Sequence, residues 1–295
     1  MLTSDHPILQ IPELSLIRDS VLDKGNDCTL TRIMPLERLL ALFKANNNIL
    51  VSPSLWDDPY EHTHLHSKAV NEFHMYEYKG RYGPKAAFGE FSDLAIYKGV
   101  GAFTTQTSHI DSVFAQCWSK FTESDALWRI YSPDFSGIQI QVSLKSLIGS
   151  IKDTLQIPFI HYGFVMYKSD AYVSDLKRRY SQANAGATWI RKDWAELCAS
   201  SLLIKRSSFQ HENEFRLIVI NPRHNSDKSP LFEYPLNWNS LVQKIVIDPR
   251  ASKKLFDDVS LKIRSLGYSG EIKQSDLYTK QDFTLLRAIQ NKRVD

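Results

Sequence analysis

Apolar and polar positions along this chain fall into short blocks, and the period within each block predicts an element. Thr29 to Met34 reads as a short strand, and Pro35 then opens a helix in which Leu36, Leu39, Leu40 and Phe43 recur at helical spacing. Asn46-Asn47-Asn48 ends that helix, because asparagine tolerates the left-handed conformation that stops helices, and Ile49 to Pro53 is the next strand. Asp57-Asp58-Pro59-Tyr60-Glu61 is a turn leading into a polar region, and residues from about 62 to 100, broken at Gly80 and Gly83-Pro84, read as a helical insertion. Ala102 to Thr105 and Phe114 to Ser119 are predicted strands. Ser124-Asp125 caps a short helix from Ala126 to Tyr131, Ser132-Pro133 stops it, and Gly137 to Val142 alternates as a half-buried strand. Pro158 to Tyr167 is extended, and Asp170 to Ile204 is the longest helical stretch, interrupted near Ala185-Gly186. Phe215 to Ile220 is an apolar, β-branched run closed by Asn221-Pro222, the pattern of a central strand buried on both faces. Lys244 to Asp248 is a strand, Ser252 to Leu266 an amphipathic helix and Gly270 to Gln274 a final strand. With no internal repeat or obvious linker, the order predicts a lead-in over residues 1–28 and one α+β domain over residues 29–295 that carries the insertion.

Composition sets the class more than the activity. The 295 residues are 43% hydrophobic and 12% aromatic, enough for a substantial core, and 36 basic against 33 acidic side chains leave a net charge of +3, too balanced to imply nucleic-acid binding alone. Cys28, Cys117 and Cys198 are widely spaced and odd in number, which supports neither a disulfide framework nor a zinc knuckle and fits a reducing cytoplasm. The N-terminus lacks the pattern of a signal peptide, and no apolar run approaches the roughly 20 residues that span a bilayer, so the expectation is a soluble, cytoplasmic protein.

The densest chemistry lies in His211-Glu212-Asn213-Glu214-Phe215-Arg216, where two carboxylates and an arginine lead into the buried run. A carboxylate at the lip of a buried strand is partly desolvated and rigidly placed, as a catalytic acid, base or electrostatic clamp requires; the alternative is a surface charge cluster. His62, His64 and His66, with Asp57, Asp58 and Glu61 just before them, raise the idea of a metal site. Against it, the segment reads as a turn followed by helix, where alternate residues diverge, and no metal is expected. HExxH, P-loop, GxGxxG and GxSxG patterns are all missing, which removes support for kinases, common dehydrogenases and standard serine hydrolases. Cys117 and Cys198 sit among apolar or aromatic neighbours and read as structural.

Three separated pieces carry a resemblance. Leu30-Thr31-Arg32-Ile33-Met34, the helix after it and Asn48 to Pro53 resemble the first NAD-binding block of the ADP-ribosyltransferase fold. Cys117-Trp118-Ser119 followed by Asp125 to Tyr131 is similar to that family's second block, a small hydroxyl residue and then an aromatic, although the usual Ser-Thr-Ser triplet is missing. Asn213 to Ile218 resembles its catalytic glutamate at a strand start, and Glu212-Asn213-Glu214 has the Glu-x-Glu spacing of its arginine-type members. The same pieces, with Trp56 to Glu61 and Glu212 to Arg216, also resemble an uncharacterised bacterial domain family with patterns close to NDPfE, CfS with a later W and Y, and EyR.

The resemblance implies a split, mixed and mostly antiparallel sheet core with helical insertions, NAD as substrate, and a toxin or phage-defence effector with an antitoxin or chaperone protein as partner. Glu214 would stabilise the positive charge that develops on the ribose as the nicotinamide bond breaks, and Glu212 would contact the acceptor. Arg32, with Thr31 beside it, would hold pyrophosphate or ribose, Tyr131 or Trp128 would stack the nicotinamide, and Ser119 would orient ribose or glutamate. The second-block residue is either Ser119 or Tyr131. The acceptor is a nucleic acid, RNA or DNA, or a protein; Arg178, Arg179, Arg191, Lys205 and Arg206, with nearby aromatics, are candidates for a single-stranded track, against a plain solvated helix face. A non-catalytic binding module and a metal-dependent hydrolase are the rival classes.

Overall fold

The computed structural model describes residues 27–61, 112–154, 159–176, 198–221 and 229–279. The lead-in up to residue 26, the helical insertion at about 62–100, the strand at 102–105 and Arg178, Arg179 and Arg191 lie outside the described residues. Strand β1 (Thr29–Met34) runs into helix α1 (Leu36–Ala45), whose C-cap Asn46 takes the left-handed conformation at φ 50°. Strand β2 (Asn47–Val51) begins two residues earlier than its apolar run suggests, because Asn47 and Asn48 pair with Pro235 and Tyr234. Then come β3 (Val113–Ser119), α2 (Asp125–Tyr131), β4 (Ile138–Ser143), α3 (Leu144–Thr154), β5 (Phe159–Phe164) and β6 (Met166–Lys168). The chain continues through β7 (Ile204–Arg206), β8 (Glu214–Ile220), β9 (Leu231–Pro235), α4 (Trp238–Leu241), β10 (Lys244–Ile247), α5 (Lys253–Ser265) and β11 (Glu271–Gln274). No helix among the described residues is long and apolar enough to cross a membrane.

Nine strands form one sheet in the order β11-β10-β4-β1-β3-β2-β9, with β8 and then β5 continuing from β3. All its pairs are antiparallel except β10 with β11, so the α+β class and the mostly antiparallel, mixed sheet are as expected. Strands β6 and β7 form a separate parallel pair. Both faces of the central strands are covered. Phe114 and Trp118 of β3 and Phe215, Leu217 and Val219 of β8 enter one cluster, while Val113, Ala115, Ile218 and Ile220 enter a second. Two-sided burial is why β8 reads as a continuous apolar run. It also overrides the half-buried reading of β4, whose Gln139 is only 1% exposed and accepts a hydrogen bond from Gln141 Nε2 at 3.1 Å.

The sheet splits along one edge of β3. Thr31 pairs with Ser119 at one end of that edge and Val51 with Ala115 near the other, and β1 and β2 leave β3 between these points. Side chains fill the wedge. Gln116 Nε2 donates to Asn48 Oδ1 at 2.7 Å and to the Ile49 carbonyl at 3.1 Å, its Oε1 accepts from Trp118 Nε1 at 3.0 Å, and Asn48 Nδ2 donates to Tyr234 Oη at 2.7 Å. All four side chains are at most 2% exposed, so each polar group needs a partner inside the protein.

Candidate active site

Glu214 opens β8 directly across from Ser119 at the end of β3, on the opposite edge of β3 from the split. Asn213 supplies the bend before it at φ 42°, a left-handed conformation that asparagine adopts more readily than most residues. The bend is pinned from several sides. Ser119 Oγ donates to the Glu212 carbonyl at 2.8 Å, the Lys120 N–H donates to the Asn213 carbonyl at 3.0 Å, and the Glu214 N–H donates to Tyr167 Oη at 2.8 Å. The backbone of Glu214 is therefore fixed before its carboxylate makes any contact.

That carboxylate lies in a buried charge cluster. Oε1 accepts from Lys205 Nζ at 2.7 Å and Oε2 from Arg216 Nε at 2.5 Å. Lys205 also contacts Glu212 at 2.5 Å and Glu61 at 3.1 Å, and Arg216 pairs with Glu61 at 2.5 Å while donating to the Leu202 carbonyl at 2.6 Å. Trp56 lies 4.5 Å from the Arg216 guanidinium and Phe209 4.5 Å from the Lys205 ammonium, so rings cover both cations. Gly163 faces Arg216 across β5 and β8; a Cβ there would come within 2.7 Å of Leu203 Cδ1, so the glycine leaves room for the buried Leu203 side chain.

Two cations face three carboxylates, and protonation of one carboxyl restores neutrality. Burial raises Glu212, and its hydrogen bond with Glu214 and the charge of Glu214 raise it further, beyond what Lys205 offsets. Burial would raise Glu214 too, but Arg216, the hydrogen bond from Glu212 and Lys205 outweigh it and hold Glu214 well below the usual carboxylate range. Burial opposes the charge on Lys205 and Arg216 as well, and the carboxylates around them more than compensate. The proton of the cluster therefore favours Glu212, and Glu214 is the carboxylate held ionised. Burial pushes the Cys117 thiol up to about 12, so it is no nucleophile near neutral pH.

The expected NAD-contacting residues divide. Ser119 and Thr31 share one sheet face with Glu214, but both hydroxyls are engaged by backbone: Ser119 by Glu212, and Thr31 by the Phe121 carbonyl at 2.5 Å. Arg32 stands opposite Ile140, on the alternate face. Its Nη1 is sealed from solvent without a hydrogen-bond partner, and burial and nearby Arg38 lower its pKa to about 10, while Cys117 and Tyr131 lie within electrostatic reach. Tyr131 is 46% exposed, and its phenol is raised by desolvation and by the charges of Glu212 and Glu214. Trp128 corrects the expectation: it is 0% exposed in the core beneath α2 and has no face to offer a ligand.

Lys205 is a second correction. It is 7% exposed and held among three carboxylates, so it belongs to the charge cluster and not to an exposed basic track. Arg206, next to it, is held by Asp58 at 3.1 Å and is partly open to solvent. Sequence reasoning left out Glu61, Tyr167 and Trp56 as members of the site. Glu61 and Trp56 stood in the quoted Trp56 to Glu61 motif, so a signal was present; Tyr167 had none beyond its place in an extended segment.

The profile of a family described as "Protein of unknown function (DUF2971)" matches residues 127–217, from α2 to β8. No curated protein sequence matches the chain. Among solved structures, the chain is similar to Thermus sp. 2.9 DarT in complex with NAD+, with 8% identity, TM-score 0.34, and 84% of this chain and 94% of that one covered. It is likewise similar to the same DarT in complex with ADP-ribosylated ssDNA, with 10% identity, TM-score 0.35 and coverage of 84% and 93%. For the complex with carba-NAD+ the values are 9%, 0.34, 84% and 95%. Identities this low transfer no residue roles, which have to come from this chain's own geometry.

Proposed function

We propose that this chain is an ADP-ribosyltransferase that uses NAD to modify a macromolecule, nucleic acid in preference to protein, and that it acts as a bacterial toxin or phage-defence effector. The observation that carries the reading is Glu214: buried, held ionised, and fixed opposite Ser119 on the strand beside the split. A preorganised carboxylate of that kind stabilises the positive charge that develops on the ribose as the nicotinamide departs, and Lys205 and Arg216 keep it charged inside the protein. Tyr131 offers an open ring near both glutamates, whereas Arg32, expected to hold pyrophosphate or ribose, keeps an unpartnered Nη1 sealed from solvent on the sheet face away from Glu214. Glu212, raised by burial and by Glu214, is the residue we assign to contact with the acceptor.

The hydrolase alternative is weakened by the partners of its own ligands, since Asp58 is paired with Arg206 and Glu61 with Lys205 and Arg216. The test incubates purified protein with NAD and either single-stranded oligonucleotides or protein extract, and reads ADP-ribose addition by mass. Addition to the oligonucleotide is expected, lost in Glu214→Gln. Addition that survives in a folded Glu214→Gln protein removes Glu214 from the mechanism.

A further inference from the structure

One aromatic group beside the charge cluster has no part in the chemistry above. Tyr60 is 44% exposed, and the Arg206 guanidinium lies 4.5 Å from the centre of its ring. The same guanidinium lies 5.2 Å from the Phe209 ring, so Arg206 is shared by both rings, of which Tyr60 is the more exposed. Asp58 fixes Arg206 and Tyr60: Oδ1 and Oδ2 accept from Arg206 Nη2 at 3.1 Å and Nε at 3.3 Å, and Oδ1 also accepts the Tyr60 N–H at 3.0 Å. Across the β6–β7 pair, Arg206 stands in register with Lys168, whose ammonium sits 5.4 Å from the Tyr172 ring. The group adjoins the reaction centre, because Phe209 also covers Lys205, which holds Glu212 and Glu214.

Resting on the transferase reading, we propose that the outer face of Tyr60 is the acceptor platform, and that it takes an unstacked base of single-stranded nucleic acid with Lys168 meeting a neighbouring phosphate. Stacking on a fixed ring is how proteins hold single-stranded bases, and it works for any base because each has a flat π face. The cation behind the ring decides between acceptor classes. A guanidinium on one face draws on the ring's electron density and makes the other face a poorer seat for a second cation, which disfavours the arginine or lysine of a protein acceptor and leaves a neutral base unhindered. Lys168 adds a sequence-independent contact for the phosphate that accompanies each base.

Binding of a fluorescently labelled, mixed-sequence single-stranded oligonucleotide, measured by anisotropy without NAD, tests this separately from NAD cleavage. The wild type binds; Tyr60→Ala weakens binding by about 10-fold or more, the loss expected for one stacked base. Tyr60→Trp restores it, and Phe135→Ala, which removes an exposed ring elsewhere on the surface, binds as the wild type does. Absence of wild-type binding, equal binding by Tyr60→Ala, or duplex bound as tightly as single strand each overturns the platform, as does modification confined to protein. Absence of NAD cleavage by the folded wild type would instead remove the transferase reading, and cleavage that ignores Glu214 would remove only that residue from it.

Discussion

Glu212 and Glu214 share Lys205 as a partner, yet one is raised and the other lowered, and this asymmetry makes the pair experimentally separable. Glu212→Gln replaces a proton-bearing carboxyl with a group that still donates and accepts, so its stability should stay within about 1 kcal/mol of the wild type. Glu214→Gln removes a buried charge between two cations and should lose about 3–5 kcal/mol. Chemical denaturation of the two variants checks the order. The pH dependence follows with its sign. Glu212, raised in the folded state, contributes stability that is complete below the ordinary carboxylate range and is lost as pH rises through its raised pKa. Glu214, depressed, contributes stability present above that range and lost only as pH falls through its lowered pKa. Thermal unfolding of the wild type should therefore show a loss of Tm as pH rises from the ordinary carboxylate range to about 8, levelling off above it, that Glu212→Gln largely abolishes; an unchanged slope in that variant would reassign the proton. Sequence singled out both glutamates through their Glu-x-Glu spacing at the start of a buried run. In the structure Glu212 precedes the strand in a 3-10 turn, and the bend at Asn213 brings the two carboxyls together. Lys205 was misread because its partners Glu61, Glu212 and Glu214 come from different segments, and charge spacing along one segment cannot reveal them.

The split in the sheet is as much a product of polar side chains as of strand pairing. Gln116 satisfies Asn48, the Ile49 carbonyl and Trp118 at once, so Gln116→Leu strands several buried polar groups that each cost about 1–3 kcal/mol. Such a variant should be destabilised by at least that much in urea unfolding, and a neutral result would show that the wedge does not depend on this network. Elements with a local signal were legible: α1 between Pro35 and Asn46, α2 capped by Ser124, whose side chain accepts from the Leu127 N–H, and β8 as an apolar run. Elements that depend on distant partners were not. Ile204, read as the end of a long helix, starts β7, which exists because it pairs with β6. Helix α3, strand β9 and helix α4 had no counterpart in the sequence reading. Strand β9 pairs with β2 across nearly the whole described chain, and Trp238 of α4 is tied to the Asn47 carbonyl at 2.7 Å.

Across the whole molecule, the nine-stranded sheet sets β1 and β8 on the two edges of β3, so Thr31, Ser119 and Glu214, far apart in sequence, come to one face, while Arg32 lies on the other. Net charge gave no hint of this, since the charges that matter are buried and nearly balanced within the site. NAD cleavage followed by nicotinamide release, at a temperature where circular dichroism shows both proteins folded, tests the assignment most directly. Wild-type protein should consume NAD, and Glu214→Gln should be slower by about 10²–10³-fold, the loss typical when one preorganised charge-stabilising group is removed. A folded Glu214→Gln protein that cleaves NAD at the wild-type rate, or a folded wild type that does not cleave it at all, would contradict the assignment of this buried glutamate as the catalytic residue.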